Sequence, residues 1–417
     1  MPLRLCTWNI GWFGQLLQGK TRTLPKNSKK VTTRAAKALQ AKQRDKIAEQ
    51  IRRVDPDVLC IQEGPSTGNI ERLRRFCDED LEGRWTVIDR PPGDTWHIRG
   101  SQGIFFVVKS SRLRAFEPRL LSQTAWFEAT EIESRTDMTQ PGTGEHNKKW
   151  PIIHPLFKPD GRPSLPEPEH EDEDEGAKDM PELMDREHTH FRHPQVLVLT
   201  VGNRRVDLIG CHLKSKFGGD EYGPAGALRL KAERGEELTE NEKRKILKAE
   251  QTAVEARIKL STEATNIRYF IENRFRNEPD PVVFVLGDMN DGVGKEVFER
   301  KYLFHDAISN LQGEVFFADR FLNHALFDFD AQHRWTASFT DVWDPGRPPE
   351  ILLDHILFTQ SVTGPDALDR TGMRVLSGAG RVEHEIHNAV NAVFDRKEEH
   401  TSDHRPVTVD IALADDT

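Results

Sequence analysis

Acidic, amide and imidazole side chains close a series of apolar runs along this chain, and together they form an inventory for phosphate chemistry. The segments are Thr7-Trp8-Asn9-Ile10, Ile61-Gln62-Glu63, His212-Leu213-Lys214-Ser215, Gly287-Asp288-Met289-Asn290-Asp291, Leu353-Asp354-His355-Ile356 and Ser402-Asp403-His404-Arg405-Pro406. They run from residue 7 to residue 406, so only a folded domain brings them together. Gathered at one point they supply carboxylates for a hard cation, an amide donor and two imidazoles for a phosphate. That set suits metal-assisted hydrolysis of a phosphate ester.

Asp288 and Asn290 follow the run Val282-Val283-Phe284-Val285-Leu286. Strand residues two apart share a side, so extended geometry past Gly287 would send both side chains into one pocket. The competing reading is a turn after a buried strand, where Gly-Asp and Asn-Asp are common. Glu63 ends another apolar run, a natural place for a Mg²⁺ ligand, because Mg²⁺ prefers oxygen and takes one or two carboxylates. A surface glutamate at a strand end is the plainer alternative. Asp403 and His404 are adjacent and cannot share an orientation, so one can face a metal while the other faces phosphate. Asp354 lies among apolar residues, where a lone carboxylate is costly unless paired. A histidine partner would resolve that cost and would itself be fixed in tautomer and orientation. A structural ion pair, or His355 as the functional group, are the alternatives. His212 ends a strand and is followed by Lys214 and Ser215; an imidazole and an ammonium there could neutralise phosphate charge. A single histidine at a strand end is more often structural.

The elements that must position these groups are mostly strands. Apolar runs rich in Val, Ile and Phe cover residues 3–10, 57–62, 85–89, 103–109, 195–201, 205–212, 281–286, 351–358 and 406–413. Gly202-Asn203 reads as a hairpin turn between two of them. Several are almost continuously apolar, as expected when both sheet faces are covered. Ile47, Ile51 and Val54 give helical spacing to a helix that Pro56 ends. A longer helix starts at Thr239-Glu240-Asn241-Glu242, which has the form of a capping box. Its stripe from Ile246 through Ala253, Leu260, Ala264, Ile267 and Ile271 to Phe275 reads as core packing. Strands mixed with covering helices imply a layered α/β domain.

With 417 residues and 36% hydrophobic content, the chain can bury a sizeable core. No apolar run reaches the ~18 residues of a membrane span. The first residues lack the layout of a secretory signal, so the cytoplasm is the expected compartment. Cys6, Cys60, Cys77 and Cys211 show neither zinc-ligand spacing nor a disulfide framework, which fits a reducing compartment. Cys211 beside His212 as a catalytic thiol is a minority reading. The net charge of −9 does not by itself advertise nucleic-acid binding. Its distribution says more: residues 14–44 contain no Asp or Glu but carry Lys20, Arg22, Lys26, Lys29, Lys30, Arg34, Lys37, Lys42 and Arg44. Leaving from beside the first motif, this stretch could follow a polyanion's backbone or could simply be solvated loop. Residues 128–192, with the run Glu169 to Glu175, and residues 218–238 also read as inserted loops. The expected organisation is one domain over 1–417 with insertions at 14–44, 128–192 and 218–238; the oligomeric state is open.

The motifs, in this order, resemble those of the endonuclease/exonuclease/phosphatase superfamily, the DNase I-like enzymes, over nearly all of the chain outside the insertions. Gly-Asp-x-Asn with Ser-Asp-His is the most specific part. The resemblance implies a four-layered α/β sandwich with the site at one end of two packed sheets. It implies Mg²⁺, with Mn²⁺ as a substitute, near Asn9, Glu63 and Asp403. His212 would contact the phosphate, Asp288 would act on the nucleophilic water, and Asn290 would hold transition-state oxygens. His404, oriented by Asp354, would be a general base or a phosphate-stabilising group; which of Asp288 and His404 takes the proton stays open. Trp335 falls where the family often has a substrate wall, and Lys214 is a further substrate-binding candidate. His212-Leu213-Lys214-Ser215-Lys216, a long helix and Gly-Asp-Met-Asn-Asp look most like bacterial nucleases of the secreted type, although their paired cysteines are absent. The 5-phosphatases usually carry Cys-Asp-Arg where this chain has Leu353-Asp354-His355. The resulting expectation is a Mg²⁺-dependent phosphodiesterase, a nuclease on DNA. RNA, phospholipid head groups or small phosphomonoesters are alternative substrates, and an inactive binding module is the remotest reading.

Overall fold

The computed structural model describes residues 2–23, 27–91, 102–136, 150–154, 184–188, 190, 192–216, 221–292, 296–302 and 304–414. Its framework is two six-stranded mixed sheets. In chain order the strands are β1 (Leu3–Asn9), β2 (Val58–Gly64), β3 (Trp85–Val87), β4 (Gly103–Lys109), β5 (Arg119–Leu120), β6 (Gln195–Val201), β7 (Arg204–His212), β8 (Val282–Asp288), β9 (Asn323–His324), β10 (Asp354–Phe358), β11 (Met373–Val382) and β12 (Val407–Leu413). The first sheet runs β11-β12-β1-β2-β4-β3 and the second β9-β10-β8-β7-β6-β5. Each sheet holds one parallel pair, β1 with β2 and β7 with β8, and its other neighbours are antiparallel.

Strand alternation sorts the apolar residues into layers. Leu3 and Leu5 of β1 meet Phe284 and Leu286 of β8 in the core between the sheets. Cys6 and Trp8 point the other way, toward Ile47 and Ile51 of helix α1 (Arg34–Val54) and Phe76 of α2 (Ile70–Glu79). Beyond the second sheet lie α3 (Gln123–Thr136), α4 (Tyr222–Glu233) and the long α5 (Glu240–Asn277). Val283 and Val285 of β8 pack there on Leu260, Ala264, Ile267 and Ile271 of α5. The last helix, α6 (His384–Asn391), lies against α1. Helix, sheet, sheet and helix layers give the four-layered α/β sandwich that the resemblance implies.

Strand expectations at 103–109 and 195–201 match both observed bounds. Gly202, at φ +58°, turns β6 into β7 as a hairpin, and Thr239 with Glu242 forms the capping box of α5. Two readings change. The run 351–358 is not one strand: Asp354 onward belongs to the second sheet, while Glu350–Ile351 pairs with Ala337–Ser338. Strand β11 went unread because its ladder slips between Val375 and Gly380 and its side chains are mostly half-buried or exposed, leaving no alternation to detect.

Of the segments read as insertions, two are built into the helical layers. Phe13–Leu17 is a buried helical turn and α1 starts at Arg34, capped by Thr33. Within 218–238, Tyr222 and Ala225 of α4 pack with Phe298 and Trp343. In 128–192, α3 continues to Thr136 and Trp150–His154 pairs with Met184–His188; the acidic run 169–175 lies outside the described residues. Among the described residues no helix is long and apolar enough to cross a membrane.

Candidate active site

The C-terminal ends of both parallel pairs meet at one end of the sandwich, so four motifs arrive together. Asn9 ends β1, His212 ends β7 and Asp288 ends β8, while Glu63 is the last residue but one of β2. The register of the second sheet places Asp288 opposite both His212 and Asp354. Gly287 allows this approach: at φ +152°, an added Cβ would lie 1.9 Å from the Cys211 carbonyl oxygen of the neighbouring strand.

Side chains then form one connected, buried network. Asn9 Nδ2 donates to Asp288 Oδ2 at 2.8 Å. His212 Nε2 lies 3.4 Å from the same oxygen. His404 Nδ1 bonds Asp354 Oδ2 at 2.7 Å. One ligand-type atom each from Asp288, Asp354 and His404 falls within a 4.8 Å cluster. Thr336 Oγ1 accepts from the backbone N–H groups of Leu353 (3.0 Å) and Asp354 (3.2 Å), which orients the Asp354 strand end. Ser402 Oγ donates to the Asn9 carbonyl at 2.7 Å and accepts from Gly11 N and His404 N, which joins the Ser-Asp-His loop to β1.

Backbone conformation marks the same place. Among the described residues six non-glycine residues have positive φ, and three of them, Trp12 (+54°), Glu63 (+59°) and Asn290 (+50°), are at this end of the sandwich. Such backbone is held only where surroundings over-determine it. Asn290 therefore does not continue the strand as the simple alternation reading required. Asp288 Oδ1 accepts from Asn290 N at 2.9 Å, closing a tight turn, and Asn290 Nδ2 donates to the Leu213 carbonyl at 3.0 Å.

Charge states follow from burial and neighbours. Burial raises the Asp288 pKa to about 7; the Asp354 charge adds to this, against His404, the Asn290 N–H and the Asn9 amide. Burial alone would lower His404, but Asp354, through charge and hydrogen bond, and then Asp288 and Asp403 hold it well above the ordinary imidazole value. His212 is pushed well below that value by burial, with Arg192 and His404 adding. The resting site is thus a neutral His212, an imidazolium at His404 and an Asp288 poised near neutrality.

Glu63 and Asp403 form a second, oxygen-rich pole. Glu63 Oε2 accepts from Trp12 N at 2.6 Å. Burial raises its pKa and the charge of Asp403 raises it further. Beside it, Asn9 Oδ1 is buried with no hydrogen-bond partner. An orphaned amide oxygen next to carboxylates fits a hard divalent cation, which binds through oxygen. His404 fits a metal less well, because Asp354, Asp288 and Asp403 hold it as an imidazolium, which has no lone pair to offer a cation.

Two candidates stand apart. Lys214 Nζ donates to the Ser215 carbonyl at 2.9 Å, and burial, with Arg192 nearby, lowers its pKa. Trp335 lies at the His404 end, under the Arg405 guanidinium at 3.9 Å and beside the His384 ring at 4.6 Å. Two arginines, the buried Arg192 and the half-buried Arg22, were not singled out as site residues from sequence. Arg192 donates to the carbonyls of His212 (3.3 Å) and Leu213 (2.9 Å), with Glu263, Glu63 and Asp288 in its field. Arg22 donates to the carbonyls of Gly11, His400 and Thr401, with Asp403 and Glu63 in its field. Neither sits in a motif; the acid-free stretch around Arg22 was the one signal available.

No family model and no curated protein matches this chain. Among solved structures, it is similar to truncated TDP2 from Caenorhabditis elegans at 13% identity and TM-score 0.42, over 99% of this chain and 98% of that one. An endonuclease/exonuclease/phosphatase family protein from Bacteroides thetaiotaomicron matches at 10% identity and TM-score 0.41, over 99% and 97%. The human Nocturnin catalytic domain matches at 14% identity and TM-score 0.38, over 99% and 94%.

Proposed function

We propose that this chain is a divalent-metal-dependent phosphodiesterase that hydrolyses nucleic acid, DNA in particular. The observation that carries this reading is the Asp288–Asp354–His404 cluster set against an oxygen-rich pole with an orphaned Asn9 Oδ1. Asn9 and Glu63 would hold Mg²⁺, or Mn²⁺ in its place, with Asp403 nearby. The bound cation would polarise a phosphoryl oxygen and favour ionisation of the attacking water.

The protein's own groups divide the remaining work. Asp288, with a pKa near 7, is the better proton acceptor, since its deprotonated form is available at neutral pH. His404 is kept protonated by Asp354 and so serves as a hydrogen-bond donor to a phosphoryl oxygen rather than as the base. His212 and the second N–H of Asn290 add neutral donors on the same side. Arg192 contributes positive potential from behind His212. In-line attack of water on phosphorus then leaves the departing oxygen to take up a proton.

The test is cleavage of supercoiled plasmid and of labelled oligonucleotides by purified protein with Mg²⁺, Mn²⁺ or EDTA. Asp288→Ala serves as the contamination control. Metal-dependent cleavage that falls about 10²–10⁴-fold in Asp288→Ala is expected, the scale of a general acid–base group. Cleavage of neither DNA form by wild-type protein would reject DNA and direct the same assay to RNA, phospholipid head groups and phosphomonoesters.

A further inference from the structure

Apart from Arg22, the acid-free stretch of residues 14–44 is not used by the hydrolytic site, yet it is fastened to it. Residues 19–23 and 27–31 form the two facing arms of a loop: Lys20 bridges Lys30, Thr21 N donates to the Lys29 carbonyl at 2.9 Å and Val31 N to the Gly19 carbonyl at 2.9 Å. Arg22 leaves this loop and grips the carbonyls of Gly11 and Thr401, beside Asp403. From the other side, Gln40 Nε2 of α1 donates to the Lys20 carbonyl at 2.6 Å. Residues 34, 37 and 40 fall on one helical face at spacing three, so the loop lies along the face that carries Arg34 and Lys37.

The cations of this surface differ from those further along the same helix. Arg44, Lys46 and Arg53 each reach a carboxylate of Asp80, Glu79 or Glu49. Lys20, Lys29, Lys30, Arg34 and Lys37 have no carboxylate at ion-pair distance among the described residues, and all but the half-buried Lys20 are exposed. The first turn of α1 has no acidic residue, and Arg34 is its first residue. Positive side chains at a helix N-terminus oppose the helix dipole, so the arrangement costs folding stability and is relieved by an anion. Unpaired charge held at a fixed place, against local stability, points to a polyanionic ligand.

We infer that the arms 19–23 and 27–31 and the first turns of α1 form a track for the phosphate backbone of a nucleic acid strand, running away from the Glu63–Asp403 pole and anchored there by Arg22. The inference rests on the nucleic-acid reading of the site. Phosphate contacts of this kind position a strand without reading its sequence, and DNA and RNA share the chemistry. The track would hold the strand on one side of the scissile phosphate.

The test uses the full chain with Lys29, Lys30, Arg34 and Lys37 changed to Ala, and a second variant with Lys and Arg exchanged at the same four positions. Binding to a 20-nucleotide DNA or RNA is measured by fluorescence anisotropy in EDTA across a salt series. Turnover of bis(4-nitrophenyl) phosphate with metal is measured in parallel. The alanine variant is expected to lose about tenfold or more in affinity, with the slope of log K against log salt shallower by about 2–3, close to one counterion per lost contact. Turnover of the small diester should stay within about twofold, and the exchanged variant should bind like wild type. Unchanged affinity and salt slope in the alanine variant would overturn the track. So would loss of binding to phosphatidylserine-containing vesicles with oligonucleotide binding intact, which would reassign the surface to a membrane. Failure of wild-type protein to turn over any phosphodiester would count against the proposed activity, while the binding arm would still decide the track.

Discussion

At the scale of single residues, the Asp288–His404 pair sets the expected pH behaviour. Asp288 must be deprotonated to accept a proton, and burial with the neighbouring Asp354 charge places its pKa at about 7. Activity on a small diester should therefore rise with pH along a limb centred at or below pH 7, falling about tenfold per unit on the acid side. A flat profile from pH 5 to 8 would remove Asp288 from the role of base. Arg22 acts one step back, as a positioning residue. Its guanidinium ties Gly11, after Asn9, to His400 and Thr401, before Asp403. Arg22→Met should weaken metal binding by about tenfold, because misplacing ligands by a fraction of an ångström is costly. The measurement is the metal-induced shift in melting temperature, titrated with Mn²⁺ in the absence of substrate. A titration identical to wild type would show that Arg22 does not hold the pole.

At the scale of elements, the site depends on two parallel pairs whose C-terminal ends meet across the inter-sheet core. The tightest point is Gly287 on β8, against the Cys211 carbonyl of β7. Any Cβ there must push the strands apart and occupy backbone that L-residues avoid. Gly287→Ala is expected to cost about 3 kcal/mol or more in urea unfolding. A variant as stable as wild type would mean that the β7–β8 contact is looser than it looks.

For the whole molecule, acid should unfold this protein early. His193, His212, His355 and His387 are buried and His324 is half-buried, and their pKa values are lowered, His387 to about 3, with loss of solvent the main cause in each. Below pH 6.5 the unfolded chain takes up protons that the folded chain refuses. Stability therefore falls as pH drops from 6.5 toward 3, by up to ~1.4 kcal/mol per pH unit for each such histidine. Three groups act in the opposite sense: His404, whose contribution is complete at low pH and is lost only as pH rises above 6.5, and the carboxyls of Asp288 and Glu63, whose raised pKa values make stability fall as pH rises from the ordinary carboxyl range through their folded-state values. A melting temperature several degrees lower at pH 5 than at pH 7 is expected; no change would show these histidines to be accessible to protons while folded.

Much of this was legible in the linear chain. Apolar runs bounded by turn residues set nine strands, because burial on both faces demands continuous Val, Ile and Phe. Polar residues ending, interrupting or preceding those runs named Asn9, Glu63, His212, Asp288, Asp354 and His404, since a carboxylate or imidazole beside a buried strand needs a partner or a task. Contacts between distant segments were not legible. The Asn9–Asp288 bond and the grip of Arg22 on Gly11, His400 and Thr401 join residues separated by 279 and up to 379 positions, whereas the Asp354–His404 pair, 50 positions apart, was already implied by the resemblance. Strand order and register alone decide which of these meet. The charge states of Asp288, His212 and His404 were equally hidden, because they follow from burial and from neighbours that only the packed sheets bring within reach.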